Sequence, residues 1–126
     1  MTVRPGIDLV ECERIARSIE QHGEAFLKRV FTAAEREYCQ GHARSAQSYA
    51  ARWAAKEAVA KALGCGIGEG ASLVEIEVTR NAAGQPGILL HGSAAATAAE
   101  MAVQDIRLSL THTEHYAAAF AVVTTA

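Results

Sequence analysis

The sequence predicts an α+β fold, with N-terminal helices and one long central helix packed on a small antiparallel sheet. Three observations support this prediction. The length of 126 residues suits one domain that buries roughly two-thirds of the surface of its unfolded chain. Helical patterns fill most of the first half of the chain, and alternating strand patterns fill most of the second half. An alanine-rich run near the middle predicts the central helix, because alanine is the strongest helix former.

The composition is ordinary for a globular protein, with 50% hydrophobic and 21% charged residues. The formal net charge of −2 gives no reason to expect binding to nucleic acid or to a membrane surface. No apolar run reaches the ~18 residues that a membrane-spanning helix needs. Acids at positions 8 and 11 do not fit the apolar core of a secretory signal, so we expect a cytoplasmic protein.

The three cysteines, Cys12, Cys39 and Cys65, occur without a CxxC spacing. An odd number at these spacings argues against a disulfide framework and against a zinc site. We therefore expect reduced cysteines that serve in packing.

The chain begins with a strand and a helix. The apolar run GIDLV, residues 6–10, predicts a buried strand that contains one acid, Asp8. Residues 11–22 follow with a helical pattern that Gly23 stops. A second helical segment is expected at residues 24–30.

A further helix and a loop precede the central helix. Thr32 and Glu35 have the spacing of a capping box, so a helix is expected from there to about Cys39. The polar and small residues of QGHARSAQS, 40–48, predict a loop that contributes His42 and Arg44.

The central helix is predicted from AARWAAKEAVAKAL, residues 50–63. One side carries alanines and is expected to be buried, whereas Trp53, Glu57 and Lys61 lie along the other side. Glu57 and Lys61 fit either a surface ion pair or a site where Glu57 binds a metal and Lys61 binds a phosphate oxygen. Gly64 opens the run GCGIGEG, which fits either a helix end with a flexible loop or a backbone anion site.

The second half is predicted to consist of strands around one helix. The alternating pattern of residues 72–80 and the apolar run 88–91 flank a turn rich in glycine and proline, so they predict a hairpin. Residues 93–103 are a second alanine-rich helix with Ser93 as the N-cap. Two closing strands, joined by a short turn, are expected at residues 105–112 and 116–124.

Several polar residues are candidates for chemistry, and each also has an ordinary structural explanation. Asp8 is costly in an apolar strand unless it is a strand-end cap, is paired or binds a cation. Asp8 and Glu57, with substrate phosphates and water, would suit Mg²⁺. His112 stands where a strand turns and also fits a structural hydrogen bond. Arg14 and Arg17 share a helix face that fits either solvent or an acidic partner.

Four motifs occur in order along nearly the whole chain. They are GIDLVECERI, FTAAE, WAAKEAVAK and SLTHTEHYA, which begin at Gly6, Phe31, Trp53 and Ser109. Together they resemble the motifs of the holo-[acyl-carrier-protein] synthases, the short-form 4′-phosphopantetheinyl transferases. Trp53 stands where many members have Phe, and Gln85 stands where Lys is common, which removes a basic side chain there.

The resemblance implies the 4′-phosphopantetheinyl transferase fold and its reaction. The phosphopantetheine arm of coenzyme A would move to a serine of an apo acyl carrier protein, releasing adenosine 3′,5′-bisphosphate. By this resemblance, Asp8 and Glu57 bind Mg²⁺, and Lys61 lies beside the coenzyme A diphosphate. The general base is expected to be Glu57 or a metal-ordered water beside it. The pathway is expected to be fatty acid synthesis, with polyketide synthesis as the alternative.

The resemblance also implies how substrates are bound. The resemblance implies a homotrimer with its sites at subunit interfaces, as in the family's short members. Pro86 and His112 would then come from a neighbouring subunit. The coenzyme A site is expected to include Lys61, Gly64, Gly66, Gly68, Pro86, His112, Arg52 and Arg44. Carrier proteins are acidic, so Arg14 is expected to dock the carrier, with Arg17 beside it and Lys28 and Arg29 as further basic residues.

Two rival functions stay open from the sequence. The first is a non-catalytic module that binds coenzyme A or a nucleotide, and intact Asp8, Glu57 and Lys61 argue against it. The second is an interaction protein that docks carrier proteins through the face of Arg14 alone. It would bind a carrier equally well without magnesium or coenzyme A.

Overall fold

A computed structural model of the chain describes residues 1–65 and 72–126. It confirms the α+β class. Along the chain the elements are β1 (Thr2–Glu11), α1 (Cys12–Val30), α2 (Ala33–Gln40), α3 (Ser45–Leu63), β2 (Ile76–Arg80), β3 (Pro86–Leu90), α4 (Gly92–Glu100), β4 (Val103–His112) and β5 (Tyr116–Thr125). Within the two described ranges, no helix combines the length and apolar character needed to cross a bilayer.

The strands form two antiparallel units. In the larger sheet β5 lies between β1 and β4, and β2 pairs with β3 as a hairpin. Ile7 of β1 and Ser109 of β4 both lie opposite Phe120 of β5. One face of the larger sheet packs against α3, as predicted for the central helix.

The N-terminal elements agree with the sequence pattern, with one extension. β1 is longer than residues 6–10, because its pairing with β5 runs from Thr2 to Glu11. α1 is interrupted at Gly23, whose φ of 53° and ψ of −134° leave the helical region. It is therefore two helical segments, as the glycine predicted.

The capping box before α2 is confirmed. The backbone N–H of Glu35 donates to Thr32 Oγ1 at 3.2 Å, and the backbone N–H of Thr32 donates to Glu35 Oε1 at 2.9 Å. Both exchanges satisfy donors that a helix N-terminus leaves without partners.

The central helix is longer and more enclosed than predicted. It begins at Ser45, so the predicted loop of residues 40–48 is wrong for its last four residues. There the N–H groups of Gln47 and Ser48 donate to the carbonyl of Arg44, which extends the helical turn. The alanine side is buried as predicted, but Ala60 on the opposite side is buried too. Helices, a hairpin and a sheet therefore surround most of α3.

Several boundaries in the second half differ from the prediction. Residues 73–75 form a 3₁₀ turn rather than strand, because Glu75 and Ser72 cap each other. Helix α4 begins at Gly92, so Ser93 is not the N-cap; its side chain donates to Glu75 instead. Helix α4 stops at Glu100 because the chain turns through Ala102, whose φ is 57°. The hairpin and the two closing strands are confirmed.

A fully buried ion pair lies beneath these elements. Lys56 Nζ lies 2.7 Å from Glu35 Oε1 and also donates to the carbonyls of Leu73 and Ile76, while Glu35 Oε2 accepts from the N–H of Val78. Burial lowers the pKa of Lys56, and the charge of Glu35 opposes that shift. The pair ties α2 and α3 to the hairpin and so fixes the rotation of α3 about its axis.

Candidate functional site

β1 lies unusually close to the central helix at Gly6. A Cβ atom at this position would clash with the carbonyl oxygen of Ala58 and would lie 2.8 Å from the backbone nitrogen of Ala62. Only glycine allows this approach. Since side chains alternate along a strand, Arg4, Gly6 and Asp8 all face α3. Glycine at position 6 therefore brings Asp8 against the helix.

The close approach brings Asp8, Glu57 and Lys61 together. Lys61 Nζ donates to Asp8 Oδ1 at 3.1 Å and to the carbonyl of Ile7 at 3.0 Å. The Asp8 side chain is 15% exposed and that of Lys61 is 56% exposed. Among the described residues, the ion pair of Lys61 is with Asp8 rather than with Glu57. The interpretation of Glu57 and Lys61 as a simple surface ion pair is therefore wrong.

Glu57 lies half-buried beside this pair. Burial raises the pKa of its carboxyl above the ordinary value, and the charge of Asp8 raises it further, whereas Lys61 and Arg14 lower it. Two carboxylates that lie 49 positions apart in the sequence thus influence each other in the fold. Such a pair, open to solvent through Lys61, can bind a cation or hold a proton.

The donor set fits a metal that takes few protein ligands. Among residues 1–65 and 72–126, no group of three or more His, Cys, Asp or Glu side chains is placed to hold an ion. Asp8 and Glu57 alone would leave most coordination positions to water or substrate. Mg²⁺ is bound in this way in phosphate-transfer sites, through one or two carboxylates. The residues therefore fit Mg²⁺ and do not fit a closed structural metal site.

The end of α3 continues the same surface. Gly64 has a φ of 75°, and its N–H donates to the carbonyls of Ala60 and Lys61, as expected for a glycine that ends a helix. Arg4 Nε donates to the carbonyl of Ala62 at 2.8 Å, which holds β1 to the last turn of the helix. Two other expected site residues, Gly66 and Gly68, lie outside the described residues.

A second group of expected residues lines a basic cleft of about 260 Å³. Arg44, Arg52 and His112 all contribute to its wall. Arg52 is 3% exposed, and its Nε atom is buried without a hydrogen-bond partner among the described residues. A buried cation without a carboxylate is unfavourable unless an anion completes its environment. The cleft therefore has the chemistry of an anion site.

Sequence reasoning missed two residues of this cleft, Tyr38 and Arg80. The guanidinium of Arg52 lies 3.9 Å from the centroid of the Tyr38 ring, and that of Arg80 lies 5.5 Å from the same ring. Pro86 pairs with Arg80 in the hairpin, so it stands beside the cleft rather than in its wall. The one signal in the sequence was Arg80 at the end of a predicted strand. No local spacing connects Arg80 to Arg52, so the sequence did not place them in one cleft.

The two groups occupy different sides of α3. Arg52 and Glu57 are five residues apart, which places them about 140° apart around a helix. Arg52 stacks on α2, whereas Glu57 faces β1 and α1. No hydrogen bond or ion pair within the described ranges joins Asp8, Glu57 or Lys61 to the cleft.

The basic residues of α1 are exposed but differ in their partners. Arg14 lies over the ring of Trp53, with 5.5 Å between the guanidinium carbon and the ring centroid. Arg17 pairs with Glu13 at 3.8 Å, and Lys28 pairs with Glu24 at 3.7 Å. These exposed pairs contribute little to stability, so the face stays available to a charged partner.

Comparison with known proteins identifies the family of the chain. Residues 4–121 match the sequence model of the 4′-phosphopantetheinyl transferase superfamily. The holo-[acyl-carrier-protein] synthase of Moorella thermoacetica is 49% identical over 118 residues, which is 94% of this chain and 91% of that protein. The corresponding synthase of Koribacter versatilis is 43% identical over 123 residues, covering 98% of both chains.

Solved structures give the same result. The chain resembles the holo-[acyl-carrier-protein] synthase of Neisseria meningitidis with a TM-score of 0.89 and 30% identity, covering 97% of this chain and 98% of that one. It resembles the Helicobacter pylori synthase, solved in complex with coenzyme A, with a TM-score of 0.85 and 29% identity, covering 95% and 99%. The resemblance seen in the four motifs is confirmed, and the chain belongs to the 4′-phosphopantetheinyl transferase superfamily.

Proposed function

We propose that this protein transfers the 4′-phosphopantetheine group of coenzyme A to a serine of an apo acyl carrier protein and releases adenosine 3′,5′-bisphosphate. The observation that carries the proposal is the meeting of Asp8, Glu57 and Lys61 on the open side of β1 and α3. Two carboxylates and one ammonium are the charges that a diphosphate and its metal ion require. The relatives described above bear the name of this activity.

Asp8 and Glu57 would hold Mg²⁺, which when bound neutralises charge on the diphosphate and its leaving oxygens. Lys61 is exposed and has a flexible stem, so its ammonium can stay near Asp8 and also reach a phosphate oxygen. Its hydrogen bond to the carbonyl of Ile7 keeps the ammonium on the side where Asp8 lies. Lys61 therefore stabilises negative charge that develops as the diphosphate bond breaks.

The serine of the carrier must lose a proton during the transfer. Glu57, or a water ordered by the metal beside it, is the candidate general base among these residues. The pKa of Glu57 is raised in the metal-free chain, and bound Mg²⁺ would lower it. Burial and the charge of Asp8 cause the raised pKa. Glu57 would take the proton directly or through one water.

The basic cleft would bind the anionic end of coenzyme A. Arg52 lacks a carboxylate partner among the described residues, and Arg44 and His112 share the wall of the cleft. A bound phosphate would supply the acceptor that the buried Nε of Arg52 needs. Gly64, at the end of α3, would lie along the rest of the ligand, and Pro86 would border it from the hairpin.

We place the complete site between copies of the chain in a homotrimer. Asp8, Glu57 and Lys61 form the Asp8 group. Since the cleft and the Asp8 group lie on different sides of α3, one ligand can bridge them most easily if a neighbouring copy supplies the cleft. The outer face of the larger sheet supports such assembly. Large apolar side chains on it are exposed, namely Val3 (55%), Ile7 (65%), Leu9 (66%), Tyr116 (47%) and Phe120 (45%). Ile7 and Phe120 are paired neighbours, so the apolar surface is continuous, which is typical of a subunit interface.

Arg14 and Arg17 would dock the acidic carrier on the outer face of α1. Both side chains are exposed, and the guanidinium of Arg14 lies near enough to Glu57 to lower its pKa. Charges at the rim of an interface mainly raise association rates, and salt weakens them. We expect the reaction in the cytoplasm, where the three cysteines, which are free thiols, would stay reduced.

Intact mass of an apo acyl carrier protein tests the proposal. The carrier is incubated with this protein, coenzyme A and Mg²⁺, and a parallel sample contains EDTA. We expect a gain of one phosphopantetheine arm only when the metal is free, together with release of adenosine 3′,5′-bisphosphate. An unchanged mass for several carriers, with coenzyme A still bound, would support a non-catalytic binding module instead. Carrier binding that is equally strong with and without Mg²⁺ and coenzyme A would support a docking protein.

A further inference from the structure

The side chain of Arg14 is supported by aromatic residues that lead into the core. Its guanidinium carbon lies 5.5 Å from the centre of the Trp53 ring. The Trp53 ring stacks on Phe26, with centroids 6.1 Å apart and planes at 23°. Phe26 in turn contacts the buried ring of Phe31 at 6.3 Å. Trp53 therefore has a fixed place and offers one face to the cation.

The hydrogen-bond donors of Arg14 remain available to a partner. Among the described residues, no carboxylate lies within ion-pair distance of Arg14, whereas Arg17 on the same face pairs with Glu13 at 3.8 Å. A guanidinium bound by its face to an aromatic ring keeps its in-plane donors free. Arg14 thus differs from its neighbour, because it is held without its donors being used.

The position of Trp53 also relates Arg14 to the reaction centre. Trp53 and Glu57 are four residues apart and lie on one side of α3. Arg14 lies over the Trp53 ring, and Glu57 follows Trp53 about one helical turn later on the same side of α3. Arg14 therefore stands at the boundary between the exposed face of α1 and the Asp8 group.

We infer that Trp53 is a positioning residue that holds Arg14 ready to bind an acidic carrier protein beside the reaction centre. The inference rests on the proposed function. Trp53 restricts the guanidinium before the carrier arrives, so less side-chain freedom is lost on binding. An indole binds a cation more strongly than a phenyl ring, so Trp at this position makes the support firmer than Phe would.

The test is a double-mutant cycle on the KM for the carrier. The variants are Trp53→Leu, Trp53→Phe, Arg14→Ala and the Arg14→Ala/Trp53→Leu pair. Loss of an exposed cation–π contact should raise the KM for the carrier about two- to fivefold in Trp53→Leu. The KM of Trp53→Phe for the carrier should lie between the values of Trp53→Leu and wild type. In both Trp53 variants, kcat and the KM for coenzyme A should stay within about twofold of wild type. In the Arg14→Ala background, Trp53→Leu should have no further effect on the KM for the carrier.

Arg17 provides the matched control. Trp53→Leu in an Arg17→Ala background should keep its full effect, because Arg17 has its own partner and does not contact the ring. Thermal melting of each variant separates binding effects from lost folding. Trp53→Phe keeps an aromatic ring and serves if Trp53→Leu fails to fold.

Two results would overturn the inference. One is an equal rise in KM for the carrier and for coenzyme A, which would mean that Trp53 only packs the core. The other is simple additivity of Arg14→Ala and Trp53→Leu. Carrier affinity measured by calorimetry gives the same cycle without turnover. If the wild-type protein binds the carrier but does not modify it, the proposed function is refuted. The calorimetric cycle still tests the role of Trp53 in that case.

Discussion

Lys61 Nζ lies 3.1 Å from Asp8 Oδ1, although the two residues belong to different elements and lie far apart in the sequence. The contact exists because Gly6 lets β1 approach the backbone of α3. It places an ammonium, a carboxylate and the half-buried Glu57 on one open surface. Each of these groups has a measurable consequence for catalysis or for stability.

Removing either carboxylate should abolish turnover. We expect Asp8→Asn and Glu57→Gln each to reduce kcat by at least about 100-fold, because both remove a charge that would hold the metal ion. Both variants should keep the circular dichroism spectrum of the wild type. Rates within a few-fold of wild type in both would refute the assignment of the site.

The raised pKa of Glu57 predicts a pH-dependent gain in stability for Glu57→Gln. The folded chain holds the Glu57 proton more tightly than the unfolded chain does, so its stability falls as pH rises through the raised pKa. In EDTA near neutral pH, Glu57→Gln should melt above wild type. The difference should shrink as the pH falls through the raised pKa and should be lost below the ordinary value of 4.5. Asp8→Asn should reduce this difference, since Asp8 helps to raise the pKa; a difference that does not change with pH would contradict the prediction.

Gly6→Ala should destabilise the fold. The added methyl group would meet the carbonyl of Ala58 and force β1 away from α3, at a cost of about 1–3 kcal/mol or more. Gly41→Ala is the control, because its Cβ would lie 3.5 Å from the nearest carbonyl oxygen, which is ordinary contact. Urea denaturation of both variants measures the two costs. A Gly6→Ala variant as stable as Gly41→Ala would show that the close approach is not required.

Lys56→Met should be among the most destabilising single changes. It leaves the carboxylate of Glu35 buried without its cation, which typically costs about 3–5 kcal/mol. Lys28→Met breaks an exposed pair and should change stability by no more than about 0.5 kcal/mol. Chemical denaturation compares the two. Glu35→Gln added to Lys56→Met should restore part of the loss, and a Lys56→Met effect as small as that of Lys28→Met would argue against the buried pair.

Local patterns predicted the elements that depend on local chemistry. The capping box of Thr32 and Glu35, the interruption at Gly23 and the closing strands all follow from short spacings. The start of α3 was missed because its first turn is polar and reads as a loop. Ser93 was predicted to be an N-cap but instead donates to Glu75, a contact with a distant part of the chain that local spacing does not reveal.

The site was predictable only where a motif carried it. No periodicity brings Asp8 to Glu57, and only the resemblance of the motifs indicated that they meet. No motif predicted the contact between Tyr38 and Arg80 or the ion pair of Lys56 and Glu35. These contacts depend on how the helices and the hairpin pack. Tertiary packing therefore decides the walls of the cleft, and sequence spacing does not.

The central claim is that coenzyme A bridges the Asp8 group of one copy and the basic cleft of another. Glu57→Gln inactivates the first half-site, and the double variant Arg44→Ala/His112→Ala inactivates the second. Each should be inactive alone. Co-expressed in equal amounts with different tags and purified as mixed assemblies, they should regain transfer at about a third of the sites, because a mixed cyclic trimer has one such site out of three. Intact mass of the carrier measures this recovery. Activity that returns in the mixed assemblies supports a shared site, and mixed assemblies as inactive as their parents would contradict it.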